Sequence, residues 1–224
     1  MTISLTRRAF VLGAPAFLAA CSTTQGTTPA TTAARPVPEY YRQLYAAVTT
    51  EPYPIPAPDL SKIDPQYYRQ EVAYQTYETV GTLVIDTQSR FLYLVLGNGR
   101  ALRYGVGVGK AGLEFEGAGV IQYKRAWPRW RPTDDMIARE PDRYGPLRDG
   151  MEPGPQNPLG ARALYLFKNG EDTLYRIHGT NEDWSIGRSM SSGCIRMLNQ
   201  DVIDLHMRVL DGSRVVVLQG AAVA

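Results

Sequence analysis

The spacing of apolar and polar positions divides this chain into stretches of different character. From residue 82 the period is close to two: TLVID (82–86), FLYLVL (91–96) and ALRYGVGVG (101–109), where Leu102, Tyr104, Val106 and Val108 alternate with Arg or Gly. These read as consecutive antiparallel strands, and Asn98-Gly99 supplies the positive φ angles of a tight hairpin turn. FLYLVL is apolar on both faces, so a central place in a sheet or between two layers is expected. RALYLF (162–167) and TLYRIH (173–178) predict two further strands, and SRVVVLQ (213–219) a buried closing strand. A helical period recurs over 200–210, QDVIDLHMRVL, which puts Val202, Leu205, His206 and Val209 on one face, with Asn199 as N-cap and Asp211-Gly212 as stop. The pattern predicts a mostly β domain over residues 81–219 with a few short helices.

The flanking stretches follow other rules. Residues 39–80 are Tyr-rich and carry YYRQ at 40–43 and again at 67–70, around the proline-broken EPYPIPAPDL. Nothing else repeats, so a solenoid is excluded, and short helices laying Tyr and Leu onto the main domain are expected. Residues 122–160 hold seven prolines with Trp127, Trp130 and Tyr144 and no sustained period. A loop of that length in a compact domain is usually functional. Thr133 is positioned to cap a short helix over DDMIAR before Pro141 ends it.

Composition narrows the partners. The chain has 224 residues, 44% hydrophobic and 21% charged, with net charge +2, enough for one domain plus a tail. No basic stripe suggests nucleic acid, and no apolar run reaches the ~18–20 residues of a spanning helix. Residues 1–20 combine Arg7–Arg8 with an apolar run from Ala9 to Ala20 and read as an export signal peptide. TRRAFVL resembles a twin-arginine signal, and LAAC at 18–21 resembles a bacterial lipobox, which implies lipidation of Cys21. Residues 22–38, with six Thr and three Pro, read as a flexible tether. The expected location is exported, periplasmic or cell-envelope, with a membrane anchor at Cys21. Cys194 is then a lone thiol, either a buried inert residue or one kept for its reactivity.

The reactive reading gains from its surroundings, HGTNEDWSIGRSMSSGCIRM, from His178 to Met197. A thiol of pKa ~8.5 needs a base or a neighbouring cation to attack at neutral pH. His178, at the end of a predicted strand, is the candidate base, against the plainer reading of a core histidine. Gly193 lets the backbone approach a substrate, and the N–H groups of Gly193 and Cys194 would face a developing oxyanion, at about 3–4 kcal/mol per well-aimed donor. His206 lies on the apolar helix face and reads as packing. Two histidines and one free cysteine cannot assemble a metal site of three or four N/S ligands.

The ordered set of His-Gly followed by Ser-x-Gly-Cys-Ile-Arg resembles the L,D-transpeptidase catalytic domain, the YkuD-type fold. The likeness extends through GTLVIDTQSRFLYLV, RYGVGVGK and NPLGARALYL, most of residues 81–218, and residues 1–80 add little. It implies a mostly β, sandwich- or barrel-like domain in which Cys194 is the nucleophile and His178 its base. Because Gly179 has no side chain, a backbone carbonyl near Gly179 is the expected orienting partner of the imidazole, with the Ser191 hydroxyl as second possibility. Arg196 matches the family's arginine, either gripping a substrate carboxylate or fixing the active-site loop, against a structural salt bridge. Ser192 stands where many relatives carry a second histidine. Trp184, Trp127 and Trp130 could stack on sugar or line the cleft, or pack core and lid. The implied substrate is a peptidoglycan stem peptide, cleaved through a Cys194 thioester with release of D-Ala and formation of a cross-link, without a cofactor. Water as acceptor gives a carboxypeptidase, and a lysine of an envelope protein gives covalent anchoring to the wall. The reading of a different class is an inactive wall-binding lipoprotein.

Overall fold

The computed structural model describes residues 36–110, 115–190 and 194–219. The export signal, Cys21 and nearly all of the tether lie outside the described residues, as do Ser191, Ser192 and Gly193.

The two-residue period becomes strands β2 (Leu83–Asp86), β3 (Phe91–Gly97), β4 (Arg100–Gly105) and β5 (Gly107–Gly109). The β3–β4 turn uses Asn98 at φ 51° and Gly99 at φ 67°, the left-handed pair that matches strand twist. The apolar β3 lies between β2 and β4, as its two-sided pattern expects. Then come β7 (Arg162–Lys168), β8 (Glu171–Gly179), β9 (Ser189–Met190), β10 (Ile195–Met197) and β11 (Arg214–Leu218). Strand β6 (Gly117–Ala126) runs into the proline-rich stretch 122–160 and pairs with β11 and β7. Only Ile121 of β6 is fully buried, so the strand carries no alternation to detect.

With β1 formed by Gln70–Ala73, the strands among the described residues join in the order β1-β4-β3-β2-β11-β6-β7-β8-β10-β5-β9. One apolar cluster takes Leu92 and Tyr104 from one side of that order and Ile177 and Ile195 from the other, so the sheet coils around a shared core. Helix α4 (Asn199–Arg208) plugs it with Val202 and Leu205.

Two local expectations change. Asn199 is the first helical residue of α4, and its side chain caps nothing in that helix. Residues 39–80 form one helix, α1 (Glu39–Leu44), two 3-10 turns, and then strand β1 (Gln70–Ala73), which pairs antiparallel with β4. The extension therefore ends as a strand of the main sheet. Its Tyr45, Leu60, Ile63 and Tyr68 close a second apolar cluster on Ile186 and Leu198, which flank the segment carrying Cys194. In the long loop Thr133 does cap α2 (Asp134–Arg139), accepting from Met136 N at 3.2 Å, and Pro141 opens a further turn, α3 (Pro141–Tyr144).

Candidate active site

Strands β8 and β10 run parallel with Ile177 opposite Ile195, His178 opposite Arg196 and Gly179 opposite Met197. Ile177 and Ile195 face the core, so alternation places His178 and Arg196 together on the other face. Cys194 immediately precedes β10. Its side chain is 7% exposed, and Sγ lies 3.5 Å from the Leu174 carbonyl. Leu174 reaches this position through a left-handed backbone, φ 59°, within β8. A carbonyl can only accept, so this contact suits the neutral thiol.

His178 is 4% exposed, and its Nδ1 stands 2.6 Å from the Gly179 carbonyl. Because the carbonyl accepts, Nδ1 carries the proton and Nε2 keeps its lone pair for proton abstraction. Burial lowers the imidazole pKa to about 4; the Gly179 carbonyl pulls it up, and the Arg196 and Arg176 charges press it down. The imidazole is thus neutral near pH 7.

The Arg196 side chain is buried and pairs with Glu182, which ties β10 to the loop after His178. Of the three tryptophans, Trp184 is 45% exposed with the Arg188 guanidinium over its ring at 5.8 Å. Trp127 instead donates to Glu51 at 2.8 Å and packs on Tyr53, and Trp130 meets Tyr144 within the loop. His206 is half-buried beside Lys124, with its own carbonyl accepting from Lys124 Nζ at 2.8 Å, and no contact joins it to His178. The structure adds residues that sequence reading passed over. Leu174, Glu182 and Asn199 all act through contacts 14 to 20 positions away, which no local pattern announces. Asn157 is another: it is buried, donates to the carbonyls of Pro128 and Glu152 and accepts from Leu159 N, fastening the long loop. A cleft of about 290 Å³ opens beside Thr180 and Asn181, walled by Pro54–Pro56 and by Gly154–Gln156 of that loop. Among the described residues no cluster of three His, Cys, Asp or Glu could hold a metal, and no helix is long and apolar enough to cross a membrane.

The family model described as the L,D-transpeptidase catalytic domain, YkuD, matches residues 81–217. This chain belongs to that family. The matched span contains Cys194, His178 and Arg196 and omits the extension. Among curated relatives of this L,D-transpeptidase-family chain, the "Probable L,D-transpeptidase YbiS" of Escherichia coli K12 is 33% identical over 60% of this chain and 43% of its own length. The "Probable L,D-transpeptidase ErfK/SrfK" of Salmonella typhimurium is 35% identical over 62% of this chain and 44% of its own length. The chain thus spans less than half of the curated relatives it matches. A crystal structure from Brucella melitensis, described as a "Probable carnitine operon oxidoreductase caia", is 53% identical over 71% of this chain and 99% of that one, at TM-score 0.50.

Proposed function

We propose that this protein is a cysteine L,D-transpeptidase of the bacterial envelope, acting on peptidoglycan stem peptides. The observation that carries the reading is a buried thiol at Cys194, immediately before β10, with a buried Nδ1-protonated imidazole at His178 on the adjacent strand β8 of an L,D-transpeptidase-family domain. In the proposed reaction Sγ attacks the carbonyl of the third stem residue, and its proton passes to Nε2 of His178. The imidazolium returns that proton to the departing D-Ala nitrogen as the C–N bond breaks, leaving a thioester. The amine of a neighbouring stem then attacks, its proton goes to His178, and the thiol is restored with it. The backbone N–H groups of Gly193 and Cys194 are the proposed oxyanion donors, assisted by Ser191 and Ser192 in shaping the loop. For Arg196 the ion pair with Glu182 supports the loop-fixing role. Gly179 and Trp184 complete the proposed substrate-binding surface. Cys21 is the proposed lipid anchor, with the domain on the exported side of the membrane.

The test is incubation of wild-type and Cys194→Ala protein with purified tetrapeptide muropeptides, with products read by mass spectrometry. Loss of D-Ala with new dimers is expected from the wild type, and none from the variant. D-Ala loss without dimers assigns water or a protein lysine as acceptor. Turnover retained by Cys194→Ala removes the proposed nucleophile, and an inert wild type favours a wall-binding protein.

A further inference from the structure

We propose that Asn199 is a positioning residue for the general base, its carboxamide pinning the backbone just after the imidazole to the start of the neighbouring strand and so fixing the carbonyl that holds His178 in its reactive tautomer. This rests on the reading of His178 as the base of Cys194.

Asn199 is the first residue of helix α4, one past its N-cap Leu198, and no side chain caps this helix. The carboxamide is directed elsewhere. Nδ2 donates to the Thr180 carbonyl at 2.8 Å, and Oδ1 accepts from Ala161 N at 2.9 Å. An N–H can only donate and a carbonyl only accept, so the two partners fix which atom is which. Thr180 follows Gly179, whose carbonyl receives the His178 Nδ1 proton at 2.6 Å. Ala161 immediately precedes β7, whose Ala163 lies opposite His178. The backbone just after the imidazole and the start of the neighbouring strand are therefore bolted together by one side chain.

The fit is close on both sides. A Cβ at Gly160, which sits at φ 60°, or at Gly179 would strike Asn199 Oδ1. Two glycines thus make the slot that the carboxamide occupies, and no larger residue is accommodated at either. Arg196 and Arg176 are the charges facing His178, and both are held, by Glu182 and by Asp172. The backbone carbonyl is the remaining orienting group, and Asn199 is what holds its peptide.

The full chain has two histidines, so ring NMR resolves them directly, with His206 as internal control. In Asn199→Ala and in Asn199→Ser, a residue the first helical turn accepts, the Nδ1–H tautomer of His178 is expected to become mixed. Its titration midpoint is expected to rise by at least one pH unit toward 6.5 as water reaches the ring, with His206 unmoved. Where muropeptide turnover is measurable, kcat is expected to fall at least tenfold with KM for the donor unchanged. A folded variant that keeps the wild-type His178 midpoint and tautomer overturns the proposal. Loss of the fold in both variants also overturns it, by making Asn199 merely structural. The NMR readout does not depend on peptidoglycan, so an inert wild type with a His178 shifted in the variants would remove the reading of His178 as a general base while leaving Asn199 as what holds its tautomer.

Discussion

At the residue scale, the chemistry of the site turns on one proton and where it is kept. The Gly179 carbonyl fixes it on Nδ1, and burial keeps the ring from taking a second one until the medium is acidic. A free histidine would lose its base function as pH falls through 6.5. Here the imidazole pKa is lowered to about 4, so the acid limb of kcat/KM on muropeptides is expected near pH 4, with full base function retained at pH 5.5. An acid limb near 6.5 would mean that the ring is solvated in the working enzyme. His178 and Cys194 were legible in the sequence because the motif around them is local. The partner that orients the ring was legible only as a class, a backbone carbonyl, since Gly179 offers no side chain. Leu174 was not legible at all: an exposed leucine in a β pattern gives no sign that its φ is 59° or that its carbonyl meets Sγ.

At the scale of elements, the extension changes the meaning of a domain boundary. The family match begins at residue 81, yet β1 completes one end of the sheet, and four apolar side chains of the extension are buried against Ile186 and Leu198. At about 2 kcal/mol for each buried side chain, Tyr45, Leu60, Ile63 and Tyr68 contribute roughly 8 kcal/mol of burial. That is comparable with the whole stability of a typical domain, ~5–15 kcal/mol. Polar fastenings add direction: Glu51 takes Arg162 at 2.6 Å and Trp127 at 2.8 Å, and Gln200 donates to the Pro56 carbonyl at 3.0 Å. A fragment beginning at residue 81 is therefore expected to lose cooperative unfolding, whereas one beginning at residue 36 should keep it. Thermal melts by circular dichroism of the two fragments decide this; equal melting temperatures would make the extension an appendage. The sequence showed tyrosines and prolines here without a period, because short turns wrapped on a surface have none.

At the scale of the whole molecule, the extension, the sheet and helix α4 meet in one polar network. Tyr45 donates to Asp201 at 3.1 Å, Arg69 reaches Asp204 at 2.8 Å and Asp201 at 3.7 Å, and Tyr104 donates to Asp204 at 2.7 Å. Asp201 is fully buried, and burial raises its pKa from 3.8 to about 7 against the opposing pull of Arg69. The folded state then binds this proton more tightly than the unfolded state, so the contribution to stability declines as pH rises from about 4 to about 7. Asp204, held below the usual carboxylate range by Arg208, Tyr104 and Arg69 despite its burial, has the opposite sign and loses its contribution on acidification. Asp201→Asn keeps an oxygen for Tyr45 and removes the titration. Its melting temperature relative to wild type is expected to be higher at pH 8 than at pH 5, and a difference that does not change with pH would show that Asp201 is ionised throughout.

The sequence by itself determined what depends on neighbours along the chain. Alternation over 82–109 made strands, Asn98-Gly99 made their turn, the 200–210 period made a helix, and the His-Gly and Ser-x-Gly-Cys spacing marked the pair proposed to react. Tertiary structure decided what depends on meetings between distant segments: the pairing of β1 with β4, the burial of Arg196 against Glu182, and the diversion of Asn199 from its own helix to Thr180 and Ala161. An Asn before an apolar helical run reads as a cap because that hydrogen bond is local. Here the Ala161 N–H just before β7 and the Thr180 carbonyl just after β8 come within reach beside two glycines, and the side chain satisfies them instead.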